Sequence, residues 1–475
     1  MEEKIKDKAG FKSFPKIYWV SIIFEFFERG SYYGMMSILS VYLTEQLGFS
    51  KPGVGLIKGT IQPLLYILPI ISGAIADRLG YRKTLMAAFS LLGIGYFLTS
   101  QMTDYFAVYA ALVIMGFGAG AFKPVISGTI AKVTDEKTSS LGFGIYYWAI
   151  NLGAFLFPMF IVPALKSING SYVIIASAIG TGAMLIPTIF IYKEPAKENN
   201  NSKESIGKVI SGISKKIVLV ALDWRFILFI FIYSWFWILY FQMFDSVLWY
   251  VKAFVDATPL NNFIFSLTGI NWKFDVEHVT VINALTIILL QLLISSLVKK
   301  TKALPTMIIG ISLGTIGMAI LAINSNIWVF IFGIFIFSLG EMTAHPKFIS
   351  YLGIIAPPDK KATYMGFGFL YGVFGSFVGG IIGAFLYVRF IDNPMISFIQ
   401  EKLVTVGSKI ILPSNVKIDT ALKVAEKIGL HKEVVSLHAY TSELWLLFSG
   451  IGVLCIIGLL LYQKFIGARQ ASDFQ

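Results

Sequence analysis

Charge is scarce in this chain, and cysteine scarcer. Asp, Glu, Lys and Arg together supply 14% of the 475 residues, against 56% apolar residues, and the mean hydropathy is +0.74. So few charges leave too little polar surface to clothe a soluble globule. A single cysteine, Cys455, excludes an intramolecular disulfide and a cysteine-held metal, and its place in the last apolar run suits packing. Short strands of alternating hydropathy are missing, which argues against a membrane β-barrel. Also missing are a phosphate-cradling P-loop, an HExxH pair and a Ser-His-acid set. Neither ATP-driven transport nor an enzyme is therefore expected, and no cofactor or metal is called for. The net charge of +12 points away from nucleic acid, because the basic residues cluster between apolar runs, as cytoplasmic loops of membrane proteins do.

What the chain has is about a dozen apolar runs, each long enough to cross a hydrocarbon layer of ~30 Å at ~1.5 Å per residue. The expected helices span 15–44, 54–77, 83–101, 106–132, 140–165, 170–192, 226–252, 277–298, 303–322, 326–355, 361–390 and 441–466. The fold class is all-α integral membrane with twelve transmembrane helices. No cleavable signal peptide is expected, since the first run is long and carries charges. The polar stretch 193–225 divides the chain into an N-terminal six-helix bundle (1–192) and a C-terminal one (226–475), and its second part reads as a short interfacial helix. Short loops after the second, eighth and tenth runs carry Arg78, Arg82 and Lys83, then Lys299, Lys300 and Lys302, then Lys360 and Lys361. The turns at 102–105 and 323–326 carry no lysine or arginine. Both termini and the central loop are therefore expected in the cytoplasm of a cell membrane protein, with 391–440 outside as a small helical cap.

The halves repeat. "GAGAFKP" (Gly118 to Pro124) and "GEMTAHP" (Gly340 to Pro346) are offset by 222 residues, and "GFGIYY" (Gly142) and "GFGFLY" (Gly366) by 224. Duplicated six-helix halves are the mark of a transporter whose site lies near the midplane. Lys123 and Glu341 fall in the same seven-residue window of the two halves, and a buried lysine and glutamate there are best explained by each other.

The first run holds "FEFFERGSYYGMM". On a helix Glu25, Arg29, Tyr32/Tyr33 and Met36 share a face. Each unpaired charge at the bilayer centre costs about 2.5–3.5 kcal/mol on insertion scales, so such groups face a polar cavity and pair. A purely structural Glu–Arg lock is the plain alternative. Gln242 and Asp245 read as pocket or mouth groups, with Asp245 solvated near the outer end. His345 reads as either a titrating group or a packing residue, and Lys347 as either a snorkelling side chain or a gate member.

Two resemblances add to this. "GAIADRLGYRK" (Gly73, Asp77, Arg78, Gly80, Arg82) resembles the loop motif of the major facilitator superfamily, which implies that fold of two six-helix halves. "EFFERGSYY" resembles the E-x-x-E-R-F-x-Y-Y signature of the proton-dependent oligopeptide transporters, with Gly30 in the phenylalanine slot. "FKP" at Phe122, "YYWAINLGAF" at Tyr146 and "GEMTAHP…YLGIIAPP" are similar to further motifs of that family. The resemblance implies proton coupling by Glu25, Glu28, Arg29 and Glu341, substrate contacts from Arg29, Tyr32, Tyr33, Tyr66, Lys123, Asn151, Trp237, Asn283 and Glu341, and a cytoplasmic gate of Lys123 with Glu341. Its expected partners are a small peptide, protons and the lipid bilayer, with the protein acting as a monomer. The chain departs from the family at Met36 and Phe241, where a charged pair is usual, and at Gly368, where tryptophan is usual. The expected function is proton-coupled import of di- and tripeptides. A same-fold symporter for another small solute is the alternative, followed by a non-transporting receptor or scaffold.

Overall fold

In a computed structural model the described residues are 14–135, 138–195, 212, 218–357, 360–413, 416–438 and 442–467. The expected interfacial helix in 193–225 lies largely outside them. Apolar runs without water to bond their backbones have one local solution, the helix. Twelve crossings result: α1 (Lys16–Val41), α2 (Lys51–Ile61, then Leu64–Leu79), α3 (Tyr81–Gln101), α4 (Tyr105–Val133), α5 (Ser139–Leu156, then Val162–Lys166), α6 (Gly170–Gly182, then Leu185–Phe190), α7 (Trp224–Gln242, then Ser246–Phe254), α8 (Glu277–Val298), α9 (Ala303–Ile320), α10 (Ile327–Ile355), α11 (Lys361–Phe367, then Leu370–Tyr387) and α12 (Glu443–Tyr462). Eleven helical stretches are apolar enough to span a membrane on composition alone among the described residues. α1 joins them by its 26-residue length, although Glu25, Glu28 and Arg29 lower its hydropathy.

Side-chain caps fix several crossing ends. Asp104 Oδ1 accepts from the amides of Phe106 and Ala107 at 3.0 Å at the start of α4. Asn326 does the same for Trp328 at 2.9 Å at the start of α10. These caps are themselves offset by the 222 residues of the sequence repeat, as are the in-helix prolines Pro124 and Pro346.

The chain divides into two compact units, 1–35 with 64–218, and 36–63 with 219–475. Residues 36–63, the end of α1 and the start of α2, thus group with helices of the second half of the sequence.

In the first unit α4 lies against α3 so closely that a Cβ on Gly118 would sit 2.8 Å from the Ala88 carbonyl, and one on Gly95 would sit 2.5 Å from the Met115 amide. The second unit repeats this. A Cβ on Gly340 of α10 would sit 2.5 Å from the Gly310 carbonyl of α9, and one on Gly317 would sit 2.5 Å from the Phe337 amide. Small residues let membrane helices approach to backbone contact, where dispersion replaces the absent hydrophobic drive. Gly368, in the tryptophan slot of the resembling family, has the end of the Leu352 side chain where its own Cβ would stand, so a larger residue there requires Leu352 to turn aside.

The described part of the external segment is helical at Asn393–Thr405, Ile418–Lys427 and His431–His438, stitched by Lys402 to Glu433 at 2.5 Å. Cys455 is buried and donates to the Ile232 carbonyl.

Gly118→Ala and Gly340→Ala should each lower stability by about 1–3 kcal/mol, because the neighbouring backbones must separate. Gly144→Ala and Gly366→Ala, which meet nothing within 4 Å, should not. Thermal unfolding in detergent, variant by variant, checks the contrast.

Candidate functional site

α1 carries Glu25, Glu28 and Arg29 to about 14–20 Å from its own start, the middle of a crossing. Their relative exposures are 0%, 0% and 6%. The arginine is shared unequally. Arg29 Nη2 donates to Glu28 Oε1 at 2.7 Å and Nε donates to the other Glu28 oxygen, a two-point fork on one carboxylate. Glu25 Oε1 stands 3.8 Å from Nε. Glu28 is therefore the fixed partner of the guanidinium and Glu25 the loosely held one. The guanidinium also lies 5.0 Å from the Tyr32 ring, and Tyr33 acts on it electrostatically.

Four further elements of the first unit contribute here. Lys123 on α4 and Tyr146 on α5 act electrostatically on Glu25, and the Lys123 ammonium lies 6.0 Å from the Tyr66 ring on α2. Tyr96, buried on α3, interacts electrostatically with Glu28 and Arg29. Tyr146 and Tyr96 were not singled out in the sequence as site residues; a tyrosine in an apolar helix gives no signal of its own. Asn151 is 8% exposed and spends its amide on the Tyr147 carbonyl of its own helix at 2.9 Å. Gly30, the odd residue of the signature, is explained by packing: the Phe157 ring occupies the space its side chain would need.

In the second unit Glu341 Oε2 accepts from Asn283 Nδ2 at 2.9 Å, and the same amide reaches Ser338 Oγ at 2.9 Å. Trp237, 5% exposed, packs on Tyr240 and Tyr371 with ring centroids at 4.6 Å. His345, one turn beyond Glu341, has Nδ1 3.4 Å from the Tyr233 hydroxyl and its ring beside Trp237. Lys347 donates to the Thr301 carbonyl at 2.8 Å. Lys123 belongs to one unit and Glu341 to the other, and each has neighbours within its own unit.

Two expectations need correcting. Asp245 is not solvated: it is 2% exposed and paired with Lys58, itself 2% exposed on α2. Gln242 is not a cavity wall. It is fully buried and ties α7 to α11 through the Gly379 carbonyl at 3.0 Å. Lys58 itself escaped the sequence reading.

The loop motif is held by its own polar groups. Gly80 has φ +98°, a conformation glycine alone adopts readily. Asp77 accepts from the Tyr81 hydroxyl at 2.9 Å and faces Lys132 at 3.4 Å. Gly73 packs on Pro124. Arg78 is exposed, while Arg82 donates to the Thr188 and Ile189 carbonyls at the end of α6. Glu194 caps the start of α3, accepting from the amides of Tyr81 and Arg82.

The unequal sharing of Arg29 has a measurable consequence. Removing a partner of a buried ion pair leaves an uncompensated charge, at a cost of about 3–5 kcal/mol. Glu28→Gln should therefore lower thermal stability far more than Glu25→Gln. Equal losses in a detergent melt would contradict the asymmetry.

The Major Facilitator Superfamily model matches residues 21–255 and 243–394. The dipeptide and tripeptide permease A of Klebsiella pneumoniae (strain 342) is 30% identical over 216 residues, covering 44% of this chain and 43% of that one. The dipeptide and tripeptide permease B of Aliivibrio fischeri (strain MJ11) is 32% identical over 192 residues, covering 39% and 38%. The match thus spans less than half the length of these curated relatives. Among solved structures, a peptide transporter POT in complex with sulfate has a TM-score of 0.71 at 18% identity, covering 98% of this chain and 97% of that one. A POT family transporter in complex with 5-aminolevulinic acid has 0.68 at 21%, covering 97% and 98%. A mutant of the nucleoside transporter NupG reaches 0.68 at 14%, covering 94% and 100%, so the shared feature at this distance is the fold. With twelve crossings, a repeat in register across its halves, the glycine-turned loop after α2 and a family match running from residue 21 to residue 394, the chain belongs to the Major Facilitator Superfamily.

Proposed function

We propose that the protein is a symporter that couples inward proton movement to the import of di- and tripeptides by alternating access. It acts in the cell membrane with both termini on the cytoplasmic side. The observation that carries the reading is the buried Glu25–Glu28–Arg29 cluster, with Lys123 and Tyr146 beside Glu25. The names of the permease relatives point to the same substrate class.

The unequal pairing gives each member a task. Glu28 keeps Arg29 in place through two hydrogen bonds, so the cation stays fixed while its second partner changes. A peptide carboxylate drawn to Arg29 or Lys123 competes for the positive charge that Glu25 shares. Glu25 then takes the proton. Substrate and proton favour each other's binding, the reciprocity that coupling requires. Tyr32, Tyr33, Tyr66, Asn151, Trp237 and Asn283 contribute rings and amides for the peptide, and Lys123 and Glu341 serve the cytoplasmic gate. Lys58 with Asp245 and Lys51 with Asp392 stand apart from this set.

A second reading is an importer of an amino-acid derivative on the same fold. It is favoured by the solved transporter that holds 5-aminolevulinic acid.

Labelled solute uptake into proteoliposomes under an imposed inward proton gradient separates the two readings. Dipeptide accumulation supports the first, whereas accumulation of amino-acid derivatives alone supports the second. In the same vesicles Glu25→Gln should abolish gradient-driven accumulation while counterflow persists. Full accumulation by that variant would leave the cluster as a structural lock. Tyr66→Phe should weaken peptide binding by about 0.5–1.5 kcal/mol, the worth of one hydrogen bond, and an unchanged affinity would remove Tyr66 from the site.

A further inference from the structure

Two equivalent helix starts are completed differently in the two halves. The first amides of an α-helix have no partner within it and carry the positive end of its dipole. At the start of α3 the amides of Tyr81 and Arg82 donate to the two carboxylate oxygens of Glu194 at 2.5 and 3.1 Å. Moved by the 222 residues of the repeat, Tyr81 and Arg82 fall on Ala303 and Leu304, the first two residues of α9. Both are buried, and among the described residues nothing accepts from their amides. The N-cap, Lys302, makes no side-chain bond to the helix, and Pro305 follows with no N–H of its own.

The surroundings of this start are positive. Lys299, Lys300 and Lys302 are exposed on the turn that leads into it. Lys347 of α10 is 8% exposed and reaches the same turn, where it donates to the Thr301 carbonyl at 2.8 Å. None of the four is ion-paired among the described residues. Buried backbone donors call for an acceptor, and a helix start ringed by ammonium groups calls for an anionic one. In the first half that acceptor is Glu194; here no described residue supplies it.

We propose that the start of α9, with Lys299, Lys300, Lys302 and Lys347 about it, binds the phosphate of an anionic phospholipid whose acyl chains lie along α8. A phosphodiester presents two unesterified oxygens that share one charge, as the Glu194 carboxylate does, and can meet two amides in the same way. α8 favours a lipid over free phosphate. It is the least enclosed of the eleven apolar stretches, and Leu289 and Leu292 are 67% and 85% exposed. Leu285, Leu289, Leu292 and Lys299 stand at i, i+4, i+7 and i+14, on one face. That face runs about 21 Å, longer than the ~15 Å of hydrocarbon in one leaflet, so apolar contact leads directly to the ammonium groups. Each lysine near the headgroups adds attraction for an anionic lipid over a zwitterionic one. The site is independent of what the protein transports.

Native mass spectrometry of the full chain in detergent, titrated with phosphatidylglycerol or with phosphatidylcholine, tests this. Phosphatidylglycerol should bind with a Kd at least about tenfold lower. Lys299→Gln/Lys300→Gln/Lys302→Gln should remove that preference, Lys347→Met should lessen it, and Lys299→Arg/Lys300→Arg/Lys302→Arg should keep it. Lys409→Gln/Lys423→Gln/Lys427→Gln, which removes as much charge from the external segment, should leave it unchanged. Lys302→Asp places the chain's own carboxylate at the N-cap. It should raise the melting temperature in detergent and abolish any further rise on adding phosphatidylglycerol. Equal binding of the two lipids, or a preference that survives the triple glutamine change, would overturn the site. Inorganic phosphate that displaces phosphatidylglycerol at equal concentration would assign the site to a free anion. A preference seen only in Asp473→Asn would assign it to the chain's own tail. Either result would overturn the lipid.

Discussion

Hydrocarbon does not solvate charge, and that constraint organises every polar feature of this protein. Within the crossings three sets of charges are ion-paired: Glu25, Glu28 and Arg29 on α1, Lys58 with Asp245, and Lys51 with Asp392. The sets differ in how completely they are satisfied. Lys58 and Asp245 are closed off by Ser40 and the Phe244 carbonyl. The α1 set is lopsided, with Glu28 bound at two points and Glu25 held at 3.8 Å. A saturated set resists change and suits fastening, whereas a lopsided one has a member whose partner can be exchanged, which is what coupling needs.

Around these sets the scaffold is held by contact of small residues. The α3–α4 and α9–α10 pairs use glycines in the same register, Gly118 and Gly340, and their starts are capped by Asp104 and Asn326 in the same register again. Backbone contact of this sort tolerates sliding and hinging poorly, so the pairs behave as rigid elements. The helices are interrupted elsewhere, among other places at Gln62–Pro63 in α2 and Met243–Asp245 in α7. Those are the places where the Lys58–Asp245 network sits.

Much of this was legible in the sequence, and the reasons are physical. A crossing is long and apolar, so twelve runs could be placed to within a few residues, and the loop motif stands out because Gly80 must turn and Asp77 must pair. Three charges in α1 are too costly to be accidental. Lys58 was passed over because a lone lysine near the end of a run resembles one that snorkels to the interface. Asp245 looked solvated for the same reason, since the break that draws it inward is set by tertiary contacts and α7 reads as one continuous apolar run. Glu194 was hidden because its task, capping α3 from more than a hundred residues away, has no local pattern. Gly30 was visible as a departure, but only the position of the Phe157 ring explains it.

The central claim is that the α1 cluster makes peptide and proton move together. Its most direct test is a pH-sensitive dye sealed inside proteoliposomes at equal pH on both sides, with the membrane potential clamped. Addition of a dipeptide outside should acidify the lumen, and Glu25→Gln should abolish that acidification while labelled dipeptide still equilibrates. Dipeptide entry with no change in lumenal pH in the unaltered protein would contradict the account.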